Sequence, residues 1–135
     1  RPNGSGPFYL RSNRSGVASM KKKYYHRKLI RDKIPEKVRE AGGDCEVRVL
    51  DKAEFEKELK KKLVEESKEL AKASKKGLLN ELADVLELTK SITSHYKIPF
   101  SKVEKFQEEK RKKRGGFKKK LFLVWSTEKQ EVKRS

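Results

Sequence analysis

The amino-acid sequence predicts an all-α fold, an antiparallel helical bundle with a minor two-stranded β element. Three long segments carry apolar residues at helical spacing, and glycine or proline separates them. The first two, residues 51–73 and 78–95, are joined by a short connection, so we expect them to form an antiparallel helical hairpin. Their apolar arcs are wider than one neighbouring helix would cover. This width predicts that dimerisation, or assembly into a higher homo-oligomer, completes the bundle.

Local signals define the first half of this fold. A short helix begins at Pro35, which suits a first helical turn, and stops at Gly42-Gly43. Residues 45–50 alternate as C-E-V-R-V-L, which predicts a short strand. Asp51 and Glu54 then have the spacing of a capping box, so the first long helix begins there.

The second half follows the same logic. Lys75-Lys76-Gly77 has the chemistry of a helix C-terminus and separates the two long helices. Pro99 and a Ser101–Glu104 capping box predict a further helix from Ser101 to about Arg114. Residues 121–125 are predicted to be a second strand, paired with residues 45–50.

Composition shifts predict three parts of the chain. Residues 1–19 are rich in Gly, Ser, Pro, Asn and Arg and contain no acid, so we interpret them as a vector-derived or disordered leader that ends before Met20. Residues 20–126 form the predicted domain, and residues 127–135 a flexible polar tail. A chain of 135 residues is one domain by length.

Charge and cysteine content narrow the class of protein. The formal net charge is +17, and 42% of the residues are charged, largely Lys mixed with Glu. A single Cys45 cannot form an internal disulfide, which favours a cytoplasmic location and, with two histidines, argues against a zinc site. No apolar run predicts a membrane span or a signal peptide. The scarcity of Asn, Gln, Cys and Met after residue 19 is typical of thermophile proteins.

Four carboxylates fall in two pairs, Glu66 with Glu69 and Glu81 with Asp84. Each pair has i,i+3 spacing, which places both side chains on one helix face. Glu66 and Glu81 fall within the apolar arcs of their helices, whereas Glu65 points further outward. Acids on a core face are costly unless they are neutralised or bound to a metal. An antiparallel hairpin would aim all four at one volume, so the sequence predicts a Mg²⁺ site, with Mn²⁺ as a substitute.

The pattern EExxE, a spacer and ExxD resembles the metal-binding signature of the all-α nucleotide pyrophosphohydrolases. That superfamily includes MazG, the dimeric dUTPases and phosphoribosyl-ATP pyrophosphohydrolase. K-L-I-R-D-K-I-P-E at residues 28–36 and R-G-G-F at residues 114–117 also resemble small single-domain MazG-like members. The three pieces cover roughly residues 24–125.

The resemblance implies a Mg²⁺-dependent enzyme that cleaves a nucleoside triphosphate between the α and β phosphates, with house-cleaning of nucleotides as a hypothesis. Glu65 and Glu66 are then the candidate catalytic residues, Glu65 as an outer group or general base. The candidate metal ligands are Glu66, Glu69, Glu81 and Asp84. The candidate substrate-binding residues are the basic segment and the glycine-rich helix end: Lys28, Arg31, Asp32, Lys33, Arg111, Arg114, Gly115, Gly116 and Phe117.

An alternative interpretation comes from the charge alone. A basic chain with a structural acidic cluster could be a nucleic-acid-binding module. This alternative predicts steeply salt-dependent duplex binding that survives substitution of Glu66 and Glu81.

Overall fold

The computed structural model describes residues 8–12 and 18–127, and the regular structure there is mostly helical. The chain divides into two compact units, Arg1–Tyr96 and Lys97–Ser135. No helix in the described residues is long and apolar enough to span a membrane. The elements in chain order are β1 Phe8–Ser12, β2 Ala18–Lys22, α1 Ile34–Glu40, α2 Lys52–Lys72, α3 Leu78–His95 and α4 Phe100–Arg114.

A complete capping box starts α2, as the sequence predicts. The backbone N–H of Glu54 donates to Oδ1 of Asp51 at 2.8 Å, and the backbone N–H of Asp51 donates to Oε1 of Glu54 at 3.5 Å. Arg48 adds two further hydrogen bonds to the Glu54 carboxylate, at 3.1 and 2.8 Å. These contacts lower the pKa of Glu54, first through the Arg48 hydrogen bond and then through the Asp51 backbone. The start of α2 is therefore fixed by its own sequence.

Helices α2 and α3 pack against each other as an antiparallel hairpin. Five residues, 73–77, connect them. At the end of the hairpin distant from this connection, Nε2 of His95 lies 3.4 Å from Oε1 of Glu56, and the Tyr96 hydroxyl lies 3.5 Å from Oε2 of Glu56. Contact between the first turns of α2 and the last turn of α3 requires opposite helix directions. The predicted hairpin is confirmed.

The interior of this hairpin is small. Among the residues whose burial is described, Leu59 of α2 and Leu88 of α3 are the buried apolar residues, and Thr93 of α3 is the buried polar one. Large apolar side chains of both helices remain exposed, at positions Val64, Leu78, Leu79, Leu82 and Leu86. Two helices offer only one contact surface to each other, so arcs as wide as these cannot be covered within one hairpin.

Two segments predicted to be strands have no regular structure. Residues 45–50 and 121–125 are irregular, and Val49 is 96% exposed. A period-2 pattern forms a strand only where a partner strand accepts its hydrogen bonds, and β1 and β2 form the one sheet in the described residues. These two pair with each other antiparallel, with Leu10 opposite Met20. Most of this β-hairpin lies in the segment that we interpreted as a leader.

The second unit contains α4, which begins one residue earlier than predicted. Pro99 is the N-cap, and no side chain caps the helix, so the predicted Ser101–Glu104 capping box does not form. Ser101 already lies inside the first turn and cannot serve as the cap. The helix ends at Arg114 as predicted, where Gly115 adopts a φ of 81° that a residue with a Cβ rarely adopts. Residues 128–135, most of the predicted tail, lie outside the described residues.

Candidate metal centre

The helical hairpin brings three of the four predicted metal ligands together. One carboxylate oxygen each from Glu66, Glu81 and Asp84 lies within 4.8 Å of the other two. Glu66 comes from α2, and the other two come from the first half of α3. The short connection at residues 73–77 places these parts of the helices side by side. The cluster therefore follows from the i,i+3 spacing on α3 and the antiparallel pairing of α2 with α3.

The environment of Glu81 is the most unusual part of this cluster. Its Oε2 atom is buried and has no hydrogen-bond partner in the part of the chain that the structure describes. Its Oε1 atom accepts a long hydrogen bond, 3.5 Å, from Nδ2 of Asn80. A buried carboxylate oxygen without a donor is costly, because it has lost water and gained nothing in exchange. A bound cation would satisfy it.

The surroundings of Glu66 disfavour the ionised form of its carboxyl group. The side chain is 19% exposed. Burial raises the pKa of Glu66 above its ordinary value; nearby Lys62 opposes this, and repulsion from Asp84, Glu81 and Glu69 adds to it. Three carboxylates that repel one another at a partly dehydrated site are the arrangement that a divalent cation relieves.

Two cationic side chains contact the cluster. Nη2 of Arg31 lies 2.8 Å from Oδ1 of Asp84, and it donates a hydrogen bond there. Nζ of Lys62 lies 3.8 Å from Oε1 of Glu66, one turn away on α2. Arg31 is one of the predicted substrate-binding residues, so the structure joins the basic segment to the acidic one.

Lys62 was missed by our sequence analysis. It is one of many lysines on α2, and composition alone did not distinguish it. Its i,i+4 relation to Glu66 is the signal that could have found it.

Glu69 and Glu65 lie apart from this cluster. The Glu69 side chain is 56% exposed, and its Oε1 lies 3.6 Å from Nζ of Lys72. It is near enough to repel Glu66, but it is not among the three converging ligands. Glu65 is exposed, as its outward angle predicts.

Eight other residues are predicted to bind the substrate, three of them in the first unit. Lys28, Asp32 and Lys33 are exposed in the segment that precedes α1. The other five belong to the second unit. There Nη1 of Arg111 lies 4.0 Å from Oε1 of Glu108, and Phe117 is 97% exposed. Arg114, Gly115 and Gly116 are also exposed.

The donor set of the cluster fits a hard divalent cation. Oxygen ligands lie 2.0–2.1 Å from Mg²⁺ and 2.3–2.6 Å from Ca²⁺, so oxygens on opposite sides of one ion are about 4 Å apart for Mg²⁺ and about 5 Å for Ca²⁺. The limit of 4.8 Å among the three oxygens is of this size. Only small side-chain movements would be needed for all three to share one ion.

Comparison of the chain with protein-family models, with curated proteins and with solved structures finds no match.

Proposed function

We propose that this chain is a Mg²⁺-dependent nucleoside triphosphate pyrophosphohydrolase that produces a nucleoside monophosphate and pyrophosphate. The observation that carries the proposal is the convergence of Glu66, Glu81 and Asp84, together with a buried Glu81 oxygen that has no hydrogen-bond partner among the described residues. The EExxE and ExxD spacing adds the reaction class through its resemblance to the all-α nucleotide pyrophosphohydrolases.

In this proposal the three carboxylates would hold the cation, and Glu69 would complete the set after a rotation of its exposed side chain. A Mg²⁺ ion bound there supplies charge neutralisation for phosphate oxygens and lowers the pKa of a bound water. Glu65, adjacent to the cluster in sequence and exposed to solvent, is the candidate general base.

The phosphate groups also need cations, since an acidic cluster alone repels a triphosphate. Arg31 is already at the cluster, through its contact with Asp84. Lys28 and Lys33 flank it in the same segment, and Asp32 lies between them. The motif resemblance alone adds five candidates from the second unit: Arg111 and Arg114 for charge, Gly115 and Gly116 for close backbone approach, and Phe117 for stacking on a base.

A homodimer is part of the same proposal. Val64 of α2 and the leucines of α3 leave apolar surface exposed on both helices of the hairpin. A second copy would bury such surface and complete a helical bundle. A cytoplasmic location agrees with the single cysteine and with a nucleotide substrate.

The test is Mg²⁺-dependent release of pyrophosphate from a panel of canonical and modified triphosphates at elevated temperature. Wild type would be compared with Glu81→Gln and with Glu87→Gln, an exposed acid on the same helix that makes the matched control. We expect release from wild type and Glu87→Gln, and loss of release from Glu81→Gln with its helical content intact. Equal release from all three proteins, or none from wild type, would refute the proposal.

The nucleic-acid-binding alternative is favoured by one observation. Residues 110–120 of the second unit contain eight cations and no acid, and Phe117, Phe122 and Trp125 are exposed within or just after them. Basic and aromatic side chains in one stretch suit a nucleic-acid strand. If a duplex or single strand binds tightly, with a steep salt dependence that Glu81→Gln leaves unchanged, and pyrophosphate release is absent, this second function replaces the first.

A further inference from the structure

The charge balance around the acidic cluster has a specific form. Glu66, Glu81 and Asp84 together carry three negative charges when ionised. Lys62 contacts the first, at 3.8 Å, and Arg31 contacts the last, at 2.8 Å. The remaining carboxylate, Glu81, contains the buried oxygen without a hydrogen-bond partner. Among the described residues, Lys62 and Arg31 thus supply two positive charges to the cluster, which is the charge of one divalent cation.

Lys62 is in an unusual position for a helix-surface ion pair. Its side chain is 20% exposed, and that of Glu66 is 19% exposed. A lysine that precedes its glutamate by four residues has the weaker of the two orientations for stabilising a helix. Enclosing both groups also costs hydration energy. Helix stability therefore does not account for this pair, whereas neutralisation of an otherwise repulsive cluster does.

Arg31 is attached in a way that allows release. It lies outside any helix or strand, and its side chain is 57% exposed. One of its nitrogens contacts one carboxylate oxygen of Asp84. A guanidinium has five N–H donors and binds phosphate well. An arginine at this place can exchange a carboxylate for a phosphate by a side-chain movement alone.

We infer that Lys62 and Arg31 are stand-in cations, which neutralise the cluster until a divalent cation binds and are then free to bind phosphate oxygens. The inference rests on the metal site of the proposed function and extends it to the order of binding. The arriving cation replaces two positive charges with two, so the net charge of the cluster is unchanged. The released side chains give the anionic ligand a more positive site after the cation has bound.

If Lys62 and Arg31 are stand-in cations, substituting them has opposite effects on metal affinity and on phosphate affinity. Without phosphate, the stand-in cations compete with the metal, so their removal tightens metal binding. With the metal bound, they attract phosphate, so their removal weakens phosphate binding. A structural role predicts neither gain in metal affinity nor opposite signs for the two affinities.

The experiment uses the full chain as wild type, Lys62→Met and Arg31→Met, which keep a long apolar stem in place of the charged side chain. Lys61→Met on α2 and Arg39→Met on α1 are matched controls, because both side chains are exposed and outside the cluster. Mn²⁺ is titrated first without nucleotide, with free Mn²⁺ followed by electron paramagnetic resonance. Pyrophosphate is then titrated by calorimetry at saturating Mn²⁺.

We expect Lys62→Met and Arg31→Met to bind Mn²⁺ about three- to tenfold more tightly than wild type, the size of one partly screened charge, while both controls are unchanged. We also expect pyrophosphate to bind about tenfold more weakly to these two variants. Mn²⁺ affinity that is unchanged or reduced in both would overturn the inference, as would unchanged pyrophosphate affinity. If Lys62→Met does not fold, Arg31→Met alone decides, since its side chain is more than half exposed.

Failure of the proposed function gives a different result in the same titrations. Wild type would then bind no Mn²⁺, or would bind it with the same affinity as Glu81→Gln. Either result would reject both the metal site and the inference that rests on it. Wild-type binding that Glu81→Gln abolishes, with no gain in Lys62→Met or Arg31→Met, leaves the metal site standing and rejects the stand-in cations alone.

Discussion

Arg31 and Asp84 are 53 residues apart in the chain, and a 2.8 Å ion pair joins them. Arg31 belongs to the basic segment before α1, and Asp84 to the acidic motif of α3. The two parts of the sequence that were predicted separately, one to bind phosphate and one to bind a cation, thus meet at one contact. The contact also attaches a segment without helix or strand to the helical hairpin.

Because of this ion pair, the effects of substituting Arg31 and Asp84 on the free energy of unfolding should not be additive. We expect a double-mutant cycle of Arg31→Met and Asp84→Asn to give an interaction free energy of about 0.5–1 kcal/mol, because both side chains are partly exposed and solvent screens the charges. Urea unfolding in the presence of a chelator measures it. The same cycle on Arg111 and Glu108, which are 4.0 Å apart and more than half exposed, should give a value near zero. Equal couplings in the two cycles would contradict a specific Arg31–Asp84 contact.

Glu66 should destabilise the metal-free protein increasingly as pH rises. The pKa of Glu66 is raised in the folded state, first by burial and further by neighbouring carboxylates. Between the unfolded-state pKa of about 4.3 and the raised value, Glu66 is more protonated in the folded state than in the unfolded state, so its contribution to the free energy of unfolding falls with increasing pH. Glu66→Gln removes this contribution, and its stability relative to wild type should therefore increase from pH 4 to pH 7.

Chelated samples unfolded in urea across this pH range give the comparison. Glu65→Gln is the control, since this neighbouring acid is exposed. If the difference in the free energy of unfolding between wild type and Glu66→Gln is constant across this pH range, the pKa of Glu66 is not raised by folding. Excess Mg²⁺ should reverse the trend, because a bound cation favours the ionised carboxylate.

Glu69 provides a graded test of the metal site. It was predicted as a ligand, but its exposed carboxylate contacts Lys72, and it is not among the three converging acids. We expect Glu69→Gln to weaken Mn²⁺ binding by less than about tenfold, that is, by less than 1.4 kcal/mol. Glu81→Gln should weaken it far more, since Glu81 is one of the three converging acids and is only partly exposed. Calorimetric titration of both variants decides, and a larger effect at Glu69 would mean that the ligand set differs from the observed cluster.

Much of this fold could be predicted because its signals are local. The Asp51–Glu54 capping box and the stop at Gly42-Gly43 depend on neighbouring residues, and both occur where the sequence places them. The proximity of Glu66 and Glu81 was predicted from two further features of the sequence, helical periodicity and the short connection between the helices.

The rest depended on contacts that no local pattern encodes. The alternation at residues 45–50 resembles a strand, but a strand requires a partner, and none is paired with it in the described part of the chain. Arg31 lies in an irregular segment before α1. Since such a segment has no periodic pattern, its contact with Asp84 could not be predicted from the sequence. Lys62 could not be distinguished from the many other lysines of this chain.

The apolar face of α3 leads to a prediction about assembly. Leu79 is 80% exposed and Leu82 is 47% exposed, on the same helix as the acidic motif. Burying one such leucine contributes about 1.5–3 kcal/mol, which corresponds to tenfold or more in the dissociation constant of a dimer. We expect wild type to be a dimer by light scattering coupled to size-exclusion chromatography, and Leu79→Lys to shift it towards the monomer. Val49→Lys, at a 96% exposed position in the loop before α2, is the control and should leave the dimer intact. A monomeric wild type would refute the dimer, and a dimer that Leu79→Lys does not weaken would place the interface elsewhere and remove α3 from it.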